Sequence, residues 1–239
     1  MAARAQTKPP KASPLLLRVR RELQRVADPR KAPQMQAYMK SAMPYHGVQS
    51  TLLRDTCRKL FGDLEWKTEK AWRGYVFDLW RGAKFREERY AAVQLTGDKR
   101  AREYQTPAVM SLYEEMIVTG AWWDYVDDVA SHRVGPILQS HPAPMKKLMR
   151  AWSVSDDMWK RRTSIICQLS FKKDTDLELL YACIEPSIDS TEFFLRKAIG
   201  WALRQHAWTD PAEVKRYVRQ NEKRLSGLSK REALKNIGS

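Results

Sequence analysis

Apolar residues recur along this chain at three- and four-residue spacing, the period of an amphipathic helix, and strict two-residue alternation is almost absent. Proline and glycine fall mainly between these periodic segments, where helices stop and start. The pattern predicts helices near 14–27, 33–43, 50–61, 68–80, 84–96, 107–119, 121–130, 142–152, 155–169, 174–184, 190–207 and 211–221. At Thr106-Pro107 and Asp210-Pro211 a capping side chain precedes a proline, whose missing N–H costs nothing in a first turn. Ser229-x-x-Glu232 reads as a capping box opening a short last helix.

Two of these segments resemble copies. Ser155 to Ile166 (SDDMWKRRTSII) aligns with Ser190 to Trp201 (STEFFLRKAIGW), which pairs Trp159 with Phe194 at an offset of 194 − 159 = 35 residues, within the range of helical-repeat units. Glu87 to Ala92 (EERYAA) is a weaker third copy. A helix pair of this kind cannot cover its apolar face alone, so neighbours must stack. The expected fold is all-α: a right-handed-type solenoid of stacked antiparallel helix pairs, HEAT/ARM-like, with a basic concave face. Its expected organisation is a disordered basic N-terminal extension over 1–13 followed by a single domain over 14–239.

Charge narrows the partners. The chain has 43 Lys and Arg against 28 Asp and Glu, a formal net charge of +15. Such an excess suits a polyanion, with nucleic acid first and a membrane surface second. The longest apolar stretches, such as Leu15 to Leu17, are interrupted by arginine within a residue or two, so no segment is expected to span a bilayer. Cys57, Cys167 and Cys183 form no CxxC pair and the four histidines are scattered, so neither a metal, a cofactor nor a disulfide framework is expected. The N-terminal stretch lacks an apolar core, which excludes a secretory signal and leaves an organelle transit peptide as the alternative to a basic tail. A cytoplasmic, nucleoid-associated monomer is the expectation.

Two constellations could carry chemistry. In Ala121 to Asp128 (AWWDYVDD), a helix puts Trp123 and Asp127 on one face and turns Trp122 elsewhere. The alternative is two core tryptophans beside a solvated or capping carboxylate. In the segment from Ser190, Lys197, Trp201 and Arg204 share one stripe: either two phosphate-binding cations around a base- or sugar-facing indole, or a core tryptophan flanked by snorkelling cations. Arg162, three residues after Trp159, is a phosphate clamp or an ordinary surface arginine.

At these residues the chain resembles the DNA alkylation repair enzyme family, the AlkD-like glycosylases. The resemblance runs from about Met35 to Ile237 and is carried by MQAYMK (35–40), GVQ (47–49), VTGAWWDYVD (118–127), SDDMWKRR (155–162), EFFLRKAIGWALR (192–204) and LSKREALKNI (228–237). It implies a curved stack of HEAT-like helix pairs binding duplex DNA that contains alkylated purines, and excision of bases alkylated at N3 or N7. By position, Asp127, Trp123 and Trp201 resemble the catalytic cleft with Arg162 beside them, and Tyr38 and Gln49 resemble residues that engage DNA. Lys197, Arg204 and Trp159 are the further expected DNA contacts. Where the resemblance leads one to expect a proline after Ser50, this chain has Thr51. The competing readings are a non-catalytic binder of damaged or distorted DNA and a protein-interaction scaffold.

Overall fold

The computed structural model describes residues 12–237, and among them every regular element is helical. They form two compact units, one ending at Arg102 and the other starting at Glu103. The expected basic extension lies outside the described residues, except for Ala12 and Ser13. Ser13 caps the first helix by accepting a hydrogen bond from the N–H of Leu16.

The first unit holds α1 (Pro14–Arg25), α2 (Ala32–Tyr38), α3 (Ser50–Gly62), α4 (Glu69–Gly82) and α5 (Arg86–Thr96). Helix α1 packs on α3, α4 and α5, burying Leu16, Val19 and Leu23 on the stripe that the periodicity predicted. Two adjacent acids of α5 organise this unit. The Glu87 carboxylate is fully buried and accepts the backbone N–H groups of His46, Gly47 and Val48 at 3.0, 2.9 and 3.1 Å. A loop that makes no helical hydrogen bonds is thereby satisfied by one side chain. Gly47 is required here, because its φ is +87° and a Cβ would fall 2.0 Å from the Asp28 carbonyl oxygen. Next to it, Glu88 takes a two-pronged bond from Arg20 at 2.6 and 2.9 Å, together with the Lys84 N–H at 2.7 Å. Burial alone would raise the Glu88 pKa, but the Arg20 and His46 side chains outweigh it and lower it to about 2.

The second unit holds α6 (Met110–Gly120), α7 (Trp123–Val129), α8 (Gly135–Ser140), α9 (Pro142–Ser153), α10 (Met158–Ile166), α11 (Leu177–Ile184), α12 (Phe193–Ala207), α13 (Pro211–Gln220) and α14 (Gly227–Leu234). Helices α10 and α12 begin 193 − 158 = 35 residues apart, the offset of the two sequence copies, and they pack on one another.

Three local expectations are corrected. Thr106 makes no side-chain cap, and Pro107 opens a 3₁₀ turn (Pro107–Val109) that leads into α6. The last helix is capped by Ser226, whose hydroxyl accepts the Ser229 N–H at 3.0 Å, so Ser229 lies inside the helix and Glu232 is released for another task. The segment after Ala130 does not stop. It passes through a π-helical turn, Ala130–Val134, straight into α8. Pro136 lacks an N–H and crowds the preceding turn, and a widened turn just before it is a way to keep the helix going. Gly135 lets this bend sit against α10, since a Cβ there would meet the Cys167 carbonyl oxygen at 2.4 Å.

One backbone residue connects α6 to the candidate site. Ala121 adopts the left-handed conformation, φ 42° and ψ 40°, and its N–H closes on the Ile117 carbonyl. This terminates α6 and sends the chain into α7 with Trp122 extended at the N-cap. A Cβ in this region carries a steric cost that glycine avoids. Ala121→Gly is therefore expected to raise stability by up to about 1 kcal/mol, measured by urea denaturation, after the greater unfolded-state entropy of glycine is subtracted.

Candidate active site

Helix α7 is short because Ala121 and Trp122 fix its start, and its seven residues place Trp123 and Asp127 one turn apart on the same face. Trp122 points elsewhere. It joins an aromatic cluster with Trp159 of α10 at 6.2 Å and Phe194 of α12 at 5.4 Å between ring centroids, and Trp159 and Phe194 themselves lie 5.0 Å apart. The residues paired by the 35-residue offset are thus direct neighbours in space. Trp159, expected at the DNA, is 7% exposed and packed in this cluster. Trp123 is half-buried.

The cluster walls one side of an ion pair. Arg162, also expected at the DNA, is 4% exposed, and its guanidinium grips Asp127 in the fork geometry, Nε to Oδ1 at 2.7 Å and the second prong to Oδ2 at 2.8 Å. Its remaining terminal nitrogen donates to the Phe194 carbonyl oxygen at 2.5 Å. One side chain of α10 therefore ties α7 to α12. The Asp127 carboxylate keeps 15% of its side-chain surface exposed and, after accepting two bonds from the fork, retains lone-pair directions for a ligand. Burial pushes its pKa above the usual aspartate value, Arg162 pulls the other way, and the Asp124 charge adds to the rise.

The other expected residues sort as follows. Lys197, Trp201 and Arg204 lie on one stripe of α12, and Trp201 is half-buried two turns beyond Phe194 on the same face. The two cations share a single carboxylate: Lys197 Nζ lies 2.9 Å from Glu232 Oε1 of α14, and Arg204 bonds the other oxygen. The Lys197 hydrogen bond holds the Glu232 carboxyl below its usual pKa. This contact depends on Gly200, where a Cβ would stand 2.5 Å from the Glu232 Cβ and 2.9 Å from the Ser229 carbonyl oxygen. Tyr38 and Gln49 belong to the first unit. Tyr38 ends α2 and is 74% exposed, and Gln49 is exposed at the N-cap of α3 with its Oε1 accepting from Lys31 Nζ at 3.1 Å. Helix α3 starts at Ser50 with Thr51 in its first turn, so the missing proline does not prevent it.

Sequence reasoning missed Phe194 as a wall of the site and Glu232 as the anchor of the cationic stripe. A signal existed for each, since Phe194 occupies the position of Trp159 in the sister copy and Glu232 stands in one of the quoted motifs. Among the described residues no group of three His, Cys, Asp or Glu side chains converges as a metal site, and no helix is long and apolar enough to cross a membrane.

The model of the DNA alkylation repair enzyme family matches residues 19–237 of this chain. Among solved structures, the chain is similar to one described as a predicted DNA alkylation repair enzyme from Enterococcus faecalis, with a TM-score of 0.81 and 25% identity over 89% of this chain and 97% of that one. The curated proteins contain no match.

The fork between Arg162 and Asp127 carries a stability prediction. Removing one partner of a buried pair typically costs about 3–5 kcal/mol, so Arg162→Ala is expected to lower unfolding stability by about that much in urea denaturation. A solvated phosphate clamp would instead leave stability within about 0.5 kcal/mol and change the salt dependence of DNA binding.

Proposed function

The chain belongs to the DNA alkylation repair enzyme family, and from that premise we propose that it is a monofunctional DNA glycosylase hydrolysing the N-glycosidic bond of cationic N3- or N7-alkylated purines in duplex DNA and leaving an abasic site. The observation that carries this reading is the largely buried Asp127 carboxylate, held by a two-pronged arginine one turn after Trp123.

The substrate supplies much of the driving force. A purine alkylated at N3 or N7 already bears a positive charge, so it departs as a neutral base and needs no general acid. As the bond lengthens, the charge passes to the deoxyribose, as in the oxocarbenium-like transition state of glycoside hydrolysis. A fixed carboxylate in a partly dry site stabilises that charge without reorganising and can orient the attacking water. Arg162 acts on Asp127 as a positioning residue. It partly offsets the carboxylate charge, and in return it fixes both oxygens. The face of an indole suits a cationic sugar, and this is the role assigned to Trp123 and Trp201. Lys197 and Arg204 contact backbone phosphates, their shared Glu232 leaving one net positive charge on the stripe. Tyr38 and Gln49 engage DNA from the first unit.

Loss of a preorganised electrostatic group typically costs about 10²–10³ in rate. Asp127→Asn is expected to reduce release of 7-methylguanine or 3-methyladenine from methylated duplex DNA by that factor in single-turnover assays, with DNA affinity largely retained. Full activity in the variant would remove Asp127 from the mechanism. Wild-type protein that binds the DNA but releases no base would instead be a non-catalytic binder.

The pH dependence follows from the raised pKa. If the ionised carboxylate does the work, the rate falls as pH drops through the folded-state pKa of Asp127, so the acid limb lies above the ordinary aspartate value of about 3.9. A single-turnover profile that stays flat down to that ordinary value contradicts this role.

A further inference from the structure

The first unit contains an open cavity of about 600 Å³ that the proposed chemistry does not use, in the range of small-ligand sites. Along α3, Arg54, Cys57, Arg58 and Phe61 recur at helical spacing, so the buried Cys57 and Phe61 form an apolar floor with two guanidinium groups one turn apart above it. The opposite wall comes from the end of α5 and the turn beyond it, with Gln94, Asp98, Lys99 and Arg100.

The charges on these walls are unevenly committed. Arg100 is structural: it donates to Phe61 and Leu64 carbonyl oxygens at 2.7 and 2.8 Å, grips Asp98, and lies 4.4 Å over the Trp66 ring. Its hydrogen bond holds the Asp98 carboxyl below the usual range, so the one acid in the lining is already neutralised. Arg58 pairs with Asp55 outside the cavity at 3.1 Å, an exposed contact that exchanges easily. Arg54 and Lys99 have no carboxylate partner among the described residues. The result is a rigid wall, an apolar floor and two uncommitted cations from different elements. Cys57 contributes no thiolate, since burial raises its pKa to about 12.

The geometry points to a phosphate-binding site in this cavity, with Arg54 and Lys99 as the principal ligands and Arg58 as a third donor. The phosphate arrives either as a free phosphate ester or as a backbone phosphate of a nucleic acid. The site is independent of Asp127, so it stands or falls apart from the glycosylase reading.

The test compares the full chain with an Arg54→Ala, Lys99→Ala double variant and with a Lys67→Ala, Lys70→Ala control that removes equal charge from exposed positions of the same unit outside the cavity. All substituted side chains are exposed, and thermal unfolding verifies that each protein is folded. In the first arm, inorganic phosphate is titrated while amide resonances of 94–100 are followed. Affinity is expected to fall about tenfold or more in the double variant, the loss of a charge-assisted hydrogen bond, and to hold in the control. In the second arm, duplex DNA binding is measured against salt. A slope flattened by about 0.9 per lost contact, in the cavity variant and not in the control, assigns the phosphate to the DNA backbone, whether or not free phosphate binds. Phosphate affinity lost with an unchanged DNA slope assigns it to a free ester. If the double variant matches wild type in both arms, or the control changes as much as the double variant, the site is overturned. Neither arm requires base release.

Discussion

The candidate site depends on one buried guanidinium. Arg162 reaches from α10 to a carboxylate on α7 and a main-chain oxygen on α12, so three helices share a point of contact that apolar packing alone would leave free to slide. Its cost is substantial, because removing two ions from water takes back much of what their attraction supplies. A well-packed apolar pair of similar volume would serve stability at least as well. The pair therefore makes most sense as a device for direction, holding a carboxylate at an edge where a little of its surface still meets solvent.

Direction also has to come from the backbone, and the elements around the site bend where side chains are absent or strained. Ala121 takes a left-handed turn so that α7 can start with Trp122 extended and Trp123 one turn from Asp127. Gly135 brings the π-helical bend against the end of α10, and Gly200 lets α14 close on α12 until Glu232 reaches both Lys197 and Arg204. The two glycines mark close approaches that a larger side chain would prevent, and all three residues lie beside an element carrying a candidate site residue. Strain and tight contact collected around one place are what a preorganised site requires.

The helices and the repeat were legible because both are local. Period and caps such as Asp210 need only neighbouring residues, the 35-residue offset needs only the likeness of two short segments, and α10 and α12 do begin 35 residues apart. The partners of charged side chains were not legible. Arg162 and Asp127 are separated by 35 residues and Lys197 and Glu232 also by 35, and no spacing rule says which acid a buried arginine will meet. Local rules even misled at Glu232, where Ser229 three residues earlier satisfies the capping-box pattern although Ser226 holds the cap. The helix through Pro136 was hidden for a related reason: a proline ordinarily stops a helix, and here a widened turn carries the chain past it while Gly135 sits against the end of α10.

Net charge is a poorer guide to the binding surface than its size suggests. Several of the cations that stand out in the sequence are spent internally: Arg20 on Glu88, Arg100 on Asp98 and two carbonyl oxygens, Lys160 on Glu114, and Arg162 on Asp127. A phosphate can win Arg20 or Arg162 only by displacing a carboxylate that is already desolvated and well aligned, whereas an exposed or shared cation yields at little cost. Lys197 and Arg204 are of the second kind, two positive charges against one acid on the stripe that bears Trp201. Affinity for a polyanion should accordingly follow the cations that folding leaves unsatisfied, and the excess of +15 matters through where those remain.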